Sequence, residues 1–208
     1  MKRTLVCILI VLAFAQTSGA QTFSIIPNAG ISKDMRSDIN EWKMGFNFAV
    51  AGFFKTSEKF SVGGRIAYHS WGIDGEEWAK DVYSGGYGSW TFDKATGTQS
   101  VIELMPSIKY LLTPTEGSIQ LSLQAGAGLL FISPSDIMVA INYRTANSYG
   151  HIETTVQTST LTGFGGQVGL PIAFSGTVEF LPLYTLYMAN GDAYHHFALN
   201  IGILLGKK

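Results

Sequence analysis

Cysteine occurs once in the 208-residue chain, at Cys7. A disulfide framework is thereby excluded, and so is a thiolate cluster for a metal. Charge is also scarce. Asp, Glu, Lys and Arg make up 14% of the residues, little for a domain bathed in water on all sides. Basic excess is missing: 14 Lys and Arg against 15 Asp and Glu give a net charge of −1. That balance argues against a nucleic-acid partner. Long hydrophobic runs are missing as well. Beyond the N-terminal segment, no stretch reaches the eighteen consecutive apolar residues of a spanning helix.

What is present begins with Lys2 and Arg3, followed by an apolar run from Leu5 to Ala15 and the small residues Ser18-Gly19-Ala20. This is the layout of a secretory signal peptide over 1–20, with cleavage before Gln21. Cys7 lies inside the apolar run with no small-residue cleavage motif before it, which speaks against a lipid anchor. Residues 21–208 then form one domain.

That domain alternates. In Trp42-Lys43-Met44-Gly45-Phe46-Asn47-Phe48-Ala49-Val50, every second residue is large and apolar, and those between are mostly small or polar. A period of two is the signature of a strand with unlike faces. Eight such segments run over 22–31, 42–54, 59–71, 99–112, 118–132, 160–174, 177–187 and 195–205. Each is about as long as a tilted strand must be to cross a bilayer. Short connections at 55–58, 113–117 and 175–176 alternate with longer ones at 32–41, 72–98, 133–159 and 188–194. Short turns at one end and long loops at the other predict an all-β, eight-stranded antiparallel up-and-down transmembrane β-barrel.

The two faces differ in a way that settles which is inside. Lys43, Lys59, Arg65, Glu103, Lys109 and Glu179 all fall on the small-and-polar face. A soluble barrel would turn that face to water and fill it with Lys and Glu, but here it is mostly Gly, Ala, Ser, Gln and Asn. Small side chains suit the crowded lumen of an eight-stranded barrel. The large apolar face then meets lipid, with Trp42, Tyr68, Tyr110, Tyr184, Phe54, Phe60 and Phe131 in aromatic girdles. By this parity Phe46 and Phe48 face acyl chains and Asn47 faces the lumen.

Three stretches carry a family resemblance: VGGRIAYHSWG (62–72), MPSIKYLLTPTEGSIQLSLQAGAGLLF (105–131) and HFALNIGILLGKK (196–208). With them the chain resembles the bacterial outer-membrane β-barrel domain superfamily of small barrels like outer membrane proteins A and X. The resemblance covers nearly all of 21–208. It implies a bacterial outer-membrane location and contact with outer-membrane lipid and lipopolysaccharide. It says little of activity, since such barrels include pores, adhesins, lipid enzymes and anchors. The chain departs from many of them in ending Gly206-Lys207-Lys208 rather than on an aromatic residue.

Candidate chemistry is sparse. His69-Ser70 and His195-His196 are strand neighbours that point to opposite faces, so neither forms a direct pair. The histidines lack metal-ligand spacing, and the expectation is no catalytic residue, no metal and no cofactor. Asp74, Glu76, Glu77 and Asp81 read as a solvated acidic loop, and Gly85-Gly86-Tyr87-Gly88 as no phosphate loop. The inward charges Arg65, Glu103, Lys109 and Glu179 are expected to pair and plug the lumen, with Arg65 and Glu103 the first pairing. Residues 136–144 and 151–159 read as a hairpin above the membrane. Its Ile137, Val139, Ile141 and Tyr143 would either offer an exposed edge to a surface partner or pack on the neighbouring loops. The expected protein is a monomeric, non-enzymatic barrel with a structural or surface-binding role. A narrow pore for small or hydrophobic solutes, or a lipid-modifying enzyme, are the alternatives.

Overall fold

Alternation does build the wall. The computed structural model describes residues 23–35, 42–83, 89–145 and 148–206. Along the chain it has strands β1 (Phe23–Asp34), β2 (Gly45–Lys55) and β3 (Phe60–Gly72), then helix α1 (Gly75–Tyr83). Next come β4 (Ser89–Thr96), β5 (Thr98–Leu111), β6 (Ile119–Pro134), β7 (Ile137–Arg144) and β8 (Tyr149–Val156). The last are β9 (Leu161–Gly169), β10 (Ile172–Phe174), β11 (Val178–Ala189), β12 (Asp192–Ile203) and β13 (Leu205–Gly206). The signal-peptide segment, the Gly85–Gly88 stretch and Lys207-Lys208 lie outside the described residues.

Eight staves pair antiparallel in the order β1-β2-β3-β5-β6-β9-β11-β12. The ring closes where β12 returns to β1, with Asn28 opposite Gly202 and Asp34 opposite His196. Closure removes the sheet edges, so every backbone group of the wall has a strand beside it. The sixth stave is two pieces, β9 and β10, interrupted at Leu170-Pro171. Pro171 has no N–H to give to the ladder, but its carbonyl accepts from Ser122 N at 2.9 Å.

Side-chain parity is as the sequence reads it. Phe46, Phe48, Val50, Ile66, Ile108, Leu129 and Ile201 are exposed, whereas Asn47, Ala49, Arg65, Ala67, Glu103, Ala198 and Asn200 are buried. Two aromatic bands flank the outward apolar zone. Phe23 stacks near Phe54 (ring centroids 4.5 Å apart) and Phe60 lies against Tyr110 (6.4 Å) toward the short-turn end. Phe46 and Tyr68 meet toward the long-loop end (6.4 Å). Trp42 is the exception. It precedes β2, which starts only at Gly45, and irregular backbone turns it inward to 3% exposure and a bridge with Ile73. Lys33, at the rim of β1, reaches the Trp42 carbonyl.

The long connections are more structured than loops. Residues 188–194 are no loop: β11 runs straight into β12 through Asn190-Gly191, both at positive φ (53° and 89°). Asn-Gly is the pair that a tight hairpin turn prefers. The acidic segment is helix α1, where Lys80 pairs with Glu77 (2.7 Å) and Glu76 (3.4 Å). The hydrogen bond to Glu77 raises the Lys80 pKa. The hairpin β7–β8 forms as expected, with Ile141 opposite Ile152. It is joined by a strand from the preceding loop, since β4 pairs β7 to give a three-stranded sheet, β4-β7-β8. This sheet and α1 make a cap over the long-loop end.

Candidate functional site in the lumen and its cap

The lumen is filled in layers. Nearest the short turns, Ile26, Ala51 and Phe53 form a small apolar cluster with Leu204 packed on it. Beside it opens a cavity of about 360 Å³ lined in part by Lys55, Lys59, Ser61 and Lys109. Lys109 and Glu179 pair at its inner edge, with side-chain exposures of 15% and 3%. The Lys109 ammonium also lies 5.7 Å from the Phe53 ring centre.

The middle layer is built around Glu103. Its register partner across β3 is the small Ala67, so the carboxylate has room. Arg65 and His69, one residue beyond Ala67 on each side along the same face, reach it from below and above. Arg65 Nη1 donates to Glu103 Oε2 at 2.7 Å, and His69 Nε2 stands 3.5 Å from the same oxygen. From the other side of the ring, His196 Nε2 stands 3.0 Å from Oε1. All four side chains are fully buried. Ser32 Oγ lies 3.2 Å from His69 Nδ1, and the two imidazole centres are 4.5 Å apart. Asp34, buried opposite His196 on β1, accepts from Gln99 Nε2 at 3.3 Å.

The expected network of Arg65, Glu103, Lys109 and Glu179 is therefore two separate pairs at different depths, Arg65–Glu103 and Lys109–Glu179. The sequence reading missed His69 and His196 as partners of Glu103. His69 shares the β3 face of Arg65 next to β5, so its place was within reach of the pattern, whereas His196 on β12 is brought to Glu103 only by the stagger of the closed ring. It also found no serine beside a histidine on one face, whereas Ser32, on β1, meets His69 on β3 over the intervening strand β2. Ser32 is 2% exposed, so no ester can approach that hydroxyl in this closed arrangement.

The largest apolar cluster packs beside the polar layer and extends upward into the cap. Inward side chains of the wall, Trp71, Val101, Met105, Leu130, Ile132, Tyr187 and Tyr194, join Trp78, Ala79 and Tyr83 of α1 and Ile137, Val139 and Ile141 of β7. Of the two expectations for the hairpin, an exposed edge or packing on neighbouring loops, the structure has the second. Val139 and Ile141 are 0% exposed and Ile137 is 8%, and Tyr143 is half-buried opposite Trp90 of β4. Burial of an apolar face stabilises by about 25 cal/mol per Å², and the top of the lumen supplies the surface that this face covers. Tyr83 Oη and Thr154 Oγ1, 2.7 Å apart, tie α1 to β8.

A closed ring of eight strands, an outward apolar belt between aromatic bands and a polar, filled lumen define the architecture. By fold, this chain is a small, closed eight-stranded β-barrel of the membrane-spanning kind. No family model and no curated protein sequence matches it. Solved structures of such barrels do match along most of its length. Ail, the attachment invasion locus protein of Yersinia pestis, aligns with a TM-score of 0.47 at 9% identity, covering 90% of this chain and 100% of that one. Neisserial surface protein A gives 0.46 at 13% identity, with 88% and 96% covered. The outer membrane enzyme PagL gives 0.42 at 11%, with 86% and 98% covered. The likeness is one of fold.

Proposed function

We propose that this barrel is a closed, non-enzymatic protein of the bacterial outer membrane, with a structural or surface-interaction role carried by its cap. The reading rests on the filling of the lumen: the charged side chains around Glu103 and the apolar side chains of Trp71, Leu130 and Tyr187 pack together there, all fully buried. Short turns of such barrels face the periplasm and long connections face outward, so the cap is the surface offered to the outside. The apolar belt suits lipid tails, and a monomer leaves that belt free for lipid. A surface partner would meet the outer side of the cap, where Tyr149 is 75% exposed, rather than Ile137, Val139 and Ile141. A narrow pore is the alternative, and planar-bilayer recording separates the two. The closed reading expects no unitary steps above leak from the wild-type protein. Reproducible steps would replace it with the pore.

A further inference from the structure

We infer that His69, Glu103 and His196 form a buried binding site for one divalent first-row transition ion of the zinc class. One ligand atom from each residue can be chosen so that all lie within 4.8 Å of one another. Three further observations point to an ion rather than to a hydrogen-bonded cluster.

The first is spacing. Two ligands about 2.0–2.1 Å from a tetrahedral ion stand about 3.3 Å apart. The two nitrogen–carboxylate separations here, 3.0 Å from His196 Nε2 to Oε1 and 3.5 Å from His69 Nε2 to Oε2, bracket that value, one at each oxygen of Glu103. The second is alignment. His196 Nε2, His69 Nε2 and Glu103 Oε1 are all buried and none makes a hydrogen bond, although His196 Nε2 and Oε1 are close enough for one. Buried nitrogens and a carboxylate oxygen this close, with no well-aligned hydrogen bond between them, are compatible with a shared ion. The third is the outer support. Ser32 Oγ, 3.2 Å away, can accept the Nδ1–H of His69, which leaves Nε2 unprotonated and able to ligate. Metal-ligating histidines are held in this way. Arg65 likewise fixes Glu103 from outside the cluster through Oε2.

Charge allows the ion. The two imidazoles are neutral ligands and Glu103 an anionic one, a set that suits a divalent ion. Imidazole nitrogens with a carboxylate select zinc, copper, nickel or iron over calcium or magnesium. The lumen is closed on the cap side, so the ion enters during folding or from the short-turn end.

The full chain refolded in detergent with Zn²⁺ and passed over chelating resin tests this, with bound metal measured by mass spectrometry and folding by heat-shifted gel mobility. Folded wild type should keep one zinc per chain. His196→Gln and Glu103→Gln should cut retention by roughly tenfold or more, while His195→Gln, an outward neighbour bonded to Tyr184, should not. Refolding with Co²⁺ should give visible absorption that His196→Gln lacks. Folded wild type retaining no zinc overturns the proposal, leaving the layer held by protons. Equal loss in His195→Gln and His196→Gln overturns it too. Should His196→Gln fail to fold, the wild-type zinc content alone decides.

Discussion

Removing Glu103 should unsettle the barrel more than any other single change in the lumen. Its carboxylate takes a hydrogen bond from Arg65 at 2.7 Å and faces two imidazoles, and all of these side chains are fully buried. Glu103→Ala strands the Arg65 guanidinium where water is excluded. Breaking a buried pair in this way costs about 3–5 kcal/mol. The lost side chain adds little, because the carboxylate itself was costly to desolvate. Two controls follow from the same reasoning. Glu103→Gln keeps the shape and one acceptor, so it should fall between. Arg65→Met combined with Glu103→Leu leaves no charge behind, and such replacements are often neutral or stabilising, so part of the loss should return. Urea unfolding in lipid vesicles, followed by tryptophan fluorescence and gel mobility, reads all four proteins. A Glu103→Ala midpoint equal to wild type would refute the reasoning and mean that water reaches the layer.

Other outcomes can be set against that one. Lys109→Ala should cost clearly less than Glu103→Ala in the same assay, because the Lys109 side chain is 15% exposed beside the short-turn cavity and solvent screens what remains. Phe48→Arg should impair assembly by about 2–4 kcal/mol, since its 57% exposed side chain points into the belt; Phe48→Leu should assemble normally, as judged by heat-shifted mobility in isolated membranes. Ile141→Ala should lower stability by about 2–5 kcal/mol and expose the cap to protease while the wall stays resistant. An exposed hairpin would instead tolerate that change.

The wall was legible because its two faces meet different media. Lipid rejects charge and accepts Phe, Leu and Ile, the narrow lumen accepts Gly, Ala and Asn, and a period of two writes both into the chain. The pairing of Arg65 with Glu103 was legible too, since β3 and β5 are neighbours and the two residues share a face. The joining of His196 to Glu103 was not. It depends on which level of β12 faces which level of β5 across the lumen, and that is set by stagger rather than by sequence spacing. The cap was only half legible, for another reason. Ile137, Val139 and Ile141 announce a face that wants cover, yet the same alternation serves a partner-binding edge and a buried lid. The lid needed β4, whose Ser89–Thr96 segment alternates weakly and pairs with β7 rather than with its chain neighbours. Asn190-Gly191 did carry its turn signal in plain view.

The central claim is that cap and lumen share one packed core that shuts the barrel. Amide hydrogen exchange along β7 tests it most directly, in the folded protein in lipid. If Val139, Ala140 and Ile141 are sandwiched between β4, β8 and the wall, their amides should exchange as slowly as those of β5 and β6. Exchange of these three at the rate of an open loop, with β5 and β6 still protected, would contradict the account.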